Sequence, residues 1–94
     1  MAESERVQAV VTYSGSVQGV GFRWTSTRIA TDHAVTGTVR NLANGSVELE
    51  VQGEHQAVQS YLAALEERFS RNIKGKRVRW GPASAALLDF RVVS

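Results

Sequence analysis

The spacing of apolar residues in the first half of this chain switches from the period of a strand to the period of a helix and back again. Apolar and polar residues alternate over Val7–Tyr13, which predicts a strand with one buried face. The helical spacing from Phe22 to about Ala34 predicts a helix. Strand-like segments follow at Thr36–Leu42 and Ser46–Gln52, and the Asn-Gly pair at 44–45 between them predicts a hairpin.

The second half of the chain repeats this succession. Apolar residues at helical spacing predict a helix over about Glu54–Phe69. We expect a basic loop over Ser70–Lys76 and a short strand over Arg77–Trp80. A last strand is predicted by the alternation of Leu88, Phe90 and Val92. The order β-α-β-β-α-β with a short fifth strand predicts an α+β, ferredoxin-like sandwich: a mixed sheet of four to five strands with two helices on one face.

Length and composition limit what such a fold can contain. A chain of 94 residues forms one domain, and we expect residues 1–6 to be a disordered tail and residues 7–94 to be that domain. The absence of cysteine excludes disulfides, thiolate metal sites and thiol nucleophiles. A net charge of +2 is too small to indicate a nucleic-acid partner. With neither a secretory leader nor an apolar run of about 18 residues, we expect a cytoplasmic monomer that makes no contact with membranes.

A glycine-rich turn joins the first predicted strand to the first predicted helix. Glycines at positions 15, 19 and 21 allow several backbone N–H groups to converge next to a helix N-terminus, where anions bind. Arg23, on the first turn of the helix, would add a planar pair of donors suited to phosphate. The turn therefore suits a phosphate cradle, but a tight connection with a solvated arginine explains the same residues.

Two segments of the chain resemble the motifs of the acylphosphatase family. Residues 15–23, GSVQGVGFR, match the signature Gly-x-Val-Gln-Gly-Val-x-Phe-Arg, and residues 37–41, GTVRN, match the second motif, Gly-x-Val-x-Asn. The distance between the motifs and the order of the elements also match. The resemblance spans about Val7 to Val93.

The resemblance implies an enzyme that hydrolyses acyl phosphates to a carboxylate and inorganic phosphate without a metal or other cofactor. Arg23 would bind the phosphate, and Asn41 would orient the attacking water. Inorganic phosphate, the product, is expected to inhibit competitively. Backbone N–H groups of the phosphate-binding loop would assist Arg23, and this loop comprises Ser16, Val17, Gln18, Gly19, Val20 and Gly21.

Several residues near the motifs keep two interpretations. Trp24 is a candidate contact for the acyl group, but packing or a place at the rim of the site explains it equally well. Tyr13 and Trp80 are most simply core residues. The family commonly has glycine where Ala34 closes the first helix, and a left-handed alanine there would cost about 1 kcal/mol.

The charged residues outside the motifs do not by themselves establish a metal site or a nucleic-acid partner. His33 and His55 have no accompanying carboxylate pair, so surface or helix-end positions are the simpler interpretation. A basic cluster would steer anionic substrates, touch nucleic acid or simply be solvated; it comprises Arg71, Lys74, Lys76, Arg77 and Arg79. The alternative to an enzyme is a non-catalytic anion- or RNA-binding module on the same fold.

Overall fold

A mixed five-stranded sheet with two helices forms the protein, as the element order predicted. The computed structural model describes residues 6–84 and 87–93, so the predicted tail lies, up to residue 5, outside the described residues. The elements are β1 (Arg6–Gly15), α1 (Phe22–Ala30), β2 (Val35–Asn41), β3 (Val47–Glu54), α2 (His55–Arg68), β4 (Ile73–Pro82) and β5 (Phe90–Val92). No helix among the described residues is long and apolar enough to cross a membrane.

In the strand order β4-β1-β3-β2-β5, the C-terminal ends of β1 and β2 lie at the same end of the sheet, on either side of β3. Both strands run antiparallel to β3, so they run parallel to each other. Tyr13 near the end of β1 and Asn41 at the end of β2 both pair with Val47. Their backbones are therefore about 10 Å apart, which is two strand spacings. The connection from β1 to α1 starts at this end of the sheet.

The core lies between the helices and one face of the sheet, where alternation placed it. Every second residue of β1 and β3 is fully buried: Ala9, Val11, Tyr13, Val47, Leu49 and Val51. The predicted apolar stripe of α2 is buried against them: Val58, Tyr61, Leu62, Leu65 and Phe69. The prediction of one buried face per strand is thus confirmed for the two central strands.

The other face of β3 is less exposed than the alternation predicted. Gln52 was expected on the wet face but is only 1% exposed, and Ser46 is also buried. Gln52 stands in the middle of the sheet, flanked by Gln8 of β1 and Thr36 of β2, so its neighbours cover it. On strand β3, the residues that face solvent are therefore Glu48 and Glu50, in the middle of the strand.

Helix α1 and the hairpin depart from their predicted bounds. The helix ends at Ala30 rather than about Ala34, because turn hydrogen bonds from residues 31–33 replace its regular ladder. Ala34 has no positive φ, so the cost of a left-handed alanine does not arise. In the hairpin, only Gly45 is left-handed, while the Asn44 Oδ1 accepts from the Ser46 N–H at 2.9 Å.

Strand β4 corrects the prediction of a basic loop over Ser70–Lys76. The strand starts at Ile73 and pairs with β1 as far as Pro82. Pairing with β1 holds these ten residues in an extended conformation, although their sequence contains too few apolar side chains to predict a strand of this length. Trp80 lies on this edge strand, 42% exposed against the His55 ring at 4.9 Å, so its placement in the core was wrong.

The last strand is shorter than predicted. Strand β5 covers Phe90–Val92 and runs parallel to β2, with Val92 opposite Val39. Leu88 is 89% exposed and lies outside the strand. Phe90 alone of the three predicted apolar residues packs against the core, with its ring 5.4 Å from that of Tyr61.

Candidate active site

The loop over residues 16–21 leaves β1 and leads directly into the first turn of α1. Gly19 and Gly21 have φ values of 78° and 81°, which L-residues with a side chain rarely adopt. Gly21 is also the N-cap of α1, and among the residues that the structure describes no side chain caps that first turn. The first turn contains no acidic residue. The positive end of the helix dipole is therefore uncompensated at this point of the surface.

Phe22 fixes the start of α1 against the core. Its ring lies 5.6 Å from the Tyr13 ring and 4.6 Å from the Phe69 ring. The side chain is buried, so the backbone at the beginning of the helix has little freedom. The next residue, Arg23, then points outward from a rigid base and is exposed.

The two ends of the loop are tied to different parts of the protein. The Ser16 N–H donates to the Asn72 carbonyl at 2.9 Å, and the Asn72 side-chain amide donates to the Ser16 carbonyl at 3.1 Å. The Gln18 Nε2 donates to the carbonyls of Leu42 and Ser46, at 2.8 and 2.9 Å. The Gln18 side chain thus joins the loop to the hairpin that begins immediately after Asn41.

The backbone donors in the middle of the loop are uncommitted. Within the described residues, the N–H groups from Val17 to Gly21 donate to no protein acceptor. Arg23 likewise forms no ion pair with any described carboxylate. A run of free N–H groups next to an unpaired guanidinium and a helix N-terminus is suited to a multiply charged anion.

Arg23 and Asn41 line one cavity of about 320 Å³. Of the other predicted site residues, Val17, Gly19, Gly21 and Trp24 also line it, whereas Ser16, Gln18 and Val20 do not. The Oδ1 atom of Asn41 is buried and has no hydrogen-bond partner among the described residues. A buried acceptor without a hydrogen-bond partner costs about 1–3 kcal/mol unless it binds a water or a ligand. Such an unsatisfied acceptor is typical of a functional position.

Thr27 and Val92 complete the cavity and were missed from the sequence. Thr27 follows one helical turn after Arg23, so a helical wheel could have found it. Val92 arrives from β5, and only the parallel pairing of β5 with β2 brings it near Asn41. Among the described residues, no group of three or more His, Cys, Asp or Glu is arranged to hold a metal ion.

The acylphosphatase family model matches residues 9–92. The chain belongs to the acylphosphatase family. It is 43% identical over 90 residues to an acylphosphatase of Salinibacter ruber, an alignment that covers 94% of this chain and 92% of that one. The expected family membership and the enzyme class are therefore confirmed.

Solved acylphosphatase structures share the whole fold. The crystal structure of the Bacillus subtilis acylphosphatase superposes with a TM-score of 0.85 at 29% identity, and covers 94% of this chain and 99% of that one. The acylphosphatase from Coxiella burnetii gives a TM-score of 0.78 at 29% identity, over 99% of this chain and 100% of that one. The predicted ferredoxin-like fold is thus shared with family members along nearly the full chain.

Proposed function

We propose that this acylphosphatase-family enzyme hydrolyses acyl phosphates with Arg23 and Asn41 as its catalytic residues. The observation that carries the proposal is that the Arg23 guanidinium and the Asn41 amide oxygen, neither of which has a partner among the described residues, line the same cavity as the glycine loop. Phosphoryl transfer depends mainly on positioning and on stabilising charge on the phosphate oxygens. This cavity provides groups for both tasks.

Arg23 and the loop hold the phosphate. The guanidinium can donate two parallel hydrogen bonds to phosphate oxygens. The N–H groups from Val17 to Gly21 and the positive end of α1 add donors that need no reorganisation during the reaction. Ser16 belongs to the loop as its anchor, because its N–H already donates to Asn72.

Asn41 positions the nucleophile. Its unpartnered Oδ1 accepts a hydrogen bond from one O–H of a water, which leaves a lone pair of that water free to face the phosphorus. A bond forms between the water oxygen and phosphorus, and the bond from phosphorus to the acyl oxygen breaks. The electron pair leaves with the carboxylate, a weak base that needs no protein acid. One proton of the water passes to a phosphate oxygen and the other stays on the new P–OH group, so the products are a carboxylate and dihydrogen phosphate, which then ionises in the solvent.

Hydrolysis of acetyl phosphate in the presence of EDTA tests the proposal. Arg23→Ala should raise KM and lower kcat, because the guanidinium binds both ground state and transition state. Asn41→Ala should lower mainly kcat, because Asn41 contacts the water and not the phosphate. Arg79→Ala is the matched control, since Arg79 lies on β4, does not line this cavity and is also exposed. Inorganic phosphate should inhibit the wild type competitively.

Two outcomes would refute these assignments. Wild-type kinetics in the Arg23→Ala variant would show that Arg23 does not bind the substrate. Loss of activity in EDTA would show that a metal is required. The RNA-binding alternative predicts RNA binding without turnover. The open face of β3 does not favour it, because Glu48 and Glu50 are acidic and are already bonded to Arg40 and Thr38. Cytoplasmic localisation and a monomeric state remain predictions from the sequence.

A further inference from the structure

A second cavity, the open-face cavity, lies on the face of the sheet that the helices do not cover. Its volume is about 370 Å³, and it shares no lining residue with the candidate active site. Thr12 and Ser14 line it from β1, where they alternate with residues buried against the helices. Strand pairing places Arg77 of β4 opposite Thr12 and Gly75 opposite Ser14. The sheet itself therefore brings these four residues together.

The shape of the open-face cavity depends on a glycine and on the hairpin after β2. Gly75 leaves space, because a Cβ at this position would lie 2.5 Å from the Ser14 Oγ. Asn44 and Ser46 of the hairpin also line the cavity. The Asn44 Oδ1 accepts from the Ser46 N–H at 2.9 Å, which holds the amide in place and leaves its Nδ2 free to donate.

The polar side chains of the open-face cavity are uncommitted. Within the described part of the chain, the hydroxyls of Thr12, Ser14 and Ser46 form no hydrogen bond. Arg77 is exposed and forms no ion pair with a described carboxylate. Three hydroxyls, an amide and a guanidinium can therefore all donate to one ligand.

The charge of the cavity favours an anion. No described residue that lines it is acidic. Lys76 also lines it, but its Nζ pairs with Glu66 at 2.6 Å, so Arg77 is the cation that remains for a ligand. Glu48 lies on the same face of β3, and the Arg40 Nε donates to its carboxylate at 2.9 Å. This bond offsets the repulsion between Glu48 and an anion.

The lining also restricts the rest of the ligand. The candidate active site contains aromatic and aliphatic side chains, such as Phe22, Trp24 and Val17, whereas the open-face cavity contains neither kind. Apart from Gly75, each of its lining residues has a hydroxyl, an amide or a positive charge. Such a lining suits hydroxyl groups and offers no surface on which an aromatic ring could stack.

We infer that the open-face cavity is a second binding site, which takes a hydroxyl-rich phosphate monoester such as a sugar phosphate. The Arg77 guanidinium binds the phosphate group with two parallel hydrogen bonds. The hydroxyls of Thr12 and Ser14 and the Asn44 amide bond to the hydroxyls of the ligand. The inference does not rest on the proposed function, because the two cavities have separate linings.

Amide chemical shifts of the isotope-labelled protein, measured by NMR during titration, test the site. Glucose 6-phosphate should shift the amides of Ser14, Ser46 and Gly75 and approach saturation below about 10 mM. It should bind about fivefold more tightly than inorganic phosphate, because its hydroxyls form additional hydrogen bonds. Glucose without a phosphate group should cause no saturable shift.

Variants on one strand separate Arg77 from general positive charge. Arg77→Ala should weaken the binding of glucose 6-phosphate by about tenfold, because it removes a charge-assisted pair of bonds. Thr12→Val, which keeps the shape of the side chain, should weaken it by about threefold. Arg79→Ala is the matched control: Arg79 lies two residues further along the same face of β4 and does not line the cavity. That variant should lose less than about twofold in affinity.

The outcomes separate this site from the candidate active site. The amides of Gly19 and Gly21 report on the phosphate-binding loop, so a ligand that shifts only these two overturns the second site. Shifts at Ser14, Ser46 and Gly75 alone support it and contradict phosphate binding by the loop. Equal affinities in the wild type, Arg77→Ala and Thr12→Val would overturn the second site. Equal affinities for glucose 6-phosphate and inorganic phosphate would overturn the assignment to a monoester.

Discussion

The side chain of Gln18 is the direct link between the phosphate-binding loop and the strand end that carries Asn41. Its Nε2 donates to the carbonyls of Leu42 and Ser46 at 2.8 and 2.9 Å. Both carbonyls also accept a backbone N–H, from Gly45 and Leu42 respectively. Gln18→Ala would therefore remove two hydrogen bonds without leaving either carbonyl unpaired.

The expected loss of stability is small, while the expected loss of activity is large. Each neutral hydrogen bond contributes about 1 kcal/mol, so Gln18→Ala should lower the free energy of unfolding by about 2 kcal/mol. A domain of this size is stable by about 5–14 kcal/mol, so the variant still folds. Without the link, the loop and Asn41 are no longer held at a fixed distance from each other. Displacements of about 1 Å in an active site can lower kcat by up to about 100-fold. We expect a fall in kcat of about 10- to 100-fold.

Urea unfolding and steady-state kinetics on one preparation measure both effects. Asn72→Ala is the control, because it removes a hydrogen bond at 3.1 Å from the opposite end of the loop. That variant should lose less than about threefold in kcat. Gln18→Glu should be worse than Gln18→Ala, since it sets a carboxylate against two carbonyls. A folded Gln18→Ala variant with wild-type kcat would refute the role of Gln18 in holding the site together.

Three further outcomes follow from the site and the core. If a phosphate oxygen accepts the water's proton, kcat should vary by less than about threefold between about pH 5 and 8, as measured by the pH profile at saturating substrate. Glu66→Ala should lower the free energy of unfolding by about 2 kcal/mol, because the buried Tyr13 hydroxyl loses its acceptor at 2.7 Å. Glu66→Gln, which keeps an acceptor, should cost less; urea unfolding compares the two. Burial raises the pKa of Tyr61 above its ordinary value. The folded state therefore keeps this proton while the unfolded chain loses it, and stability should fall as the pH rises above about 10.

Each of these expectations has a clear contrary result. A bell-shaped pH profile with an apparent pKa near about 6.5 would indicate a catalytic histidine. A Glu66→Ala variant no less stable than Glu66→Gln would show that the Tyr13 hydroxyl does not need this acceptor. The alkaline loss of stability should be smaller in Tyr61→Phe than in the wild type. Equal slopes of unfolding free energy against pH in the two proteins would contradict the assignment to Tyr61.

Alternation predicted the central strands well because each has one face against the helices. The buried positions of β1 and β3, such as Val11 and Leu49, follow directly from that pattern. Strand β4 was underestimated because its formation depends on pairing with β1, a contact between distant parts of the chain. Trp80 shows the same limit: its residue type suggested burial, but its position on the edge strand leaves it exposed.

The candidate site was likewise predictable from the sequence only where it depends on local pattern. The motifs placed Arg23 and Asn41 on the correct elements, and the fold brings them to one cavity. The bonds of Gln18 to the hairpin were not predictable from local pattern, because they join residues separated by 24 and 28 positions. Val92 was missed for the same reason, since its place depends on the parallel pairing of β5 with β2.

The position of β3 between β1 and β2 has a consequence for how activity appears during folding. The loop follows β1 and Asn41 ends β2, but the strand that joins β1 to β2 comes later in the chain than both. A chain that has formed only β1, α1 and β2 has no sheet contact between the two halves of the site. Recovery of turnover after dilution from urea should therefore coincide with protection of the β3 amides from hydrogen exchange, and turnover reports on formation of the central sheet.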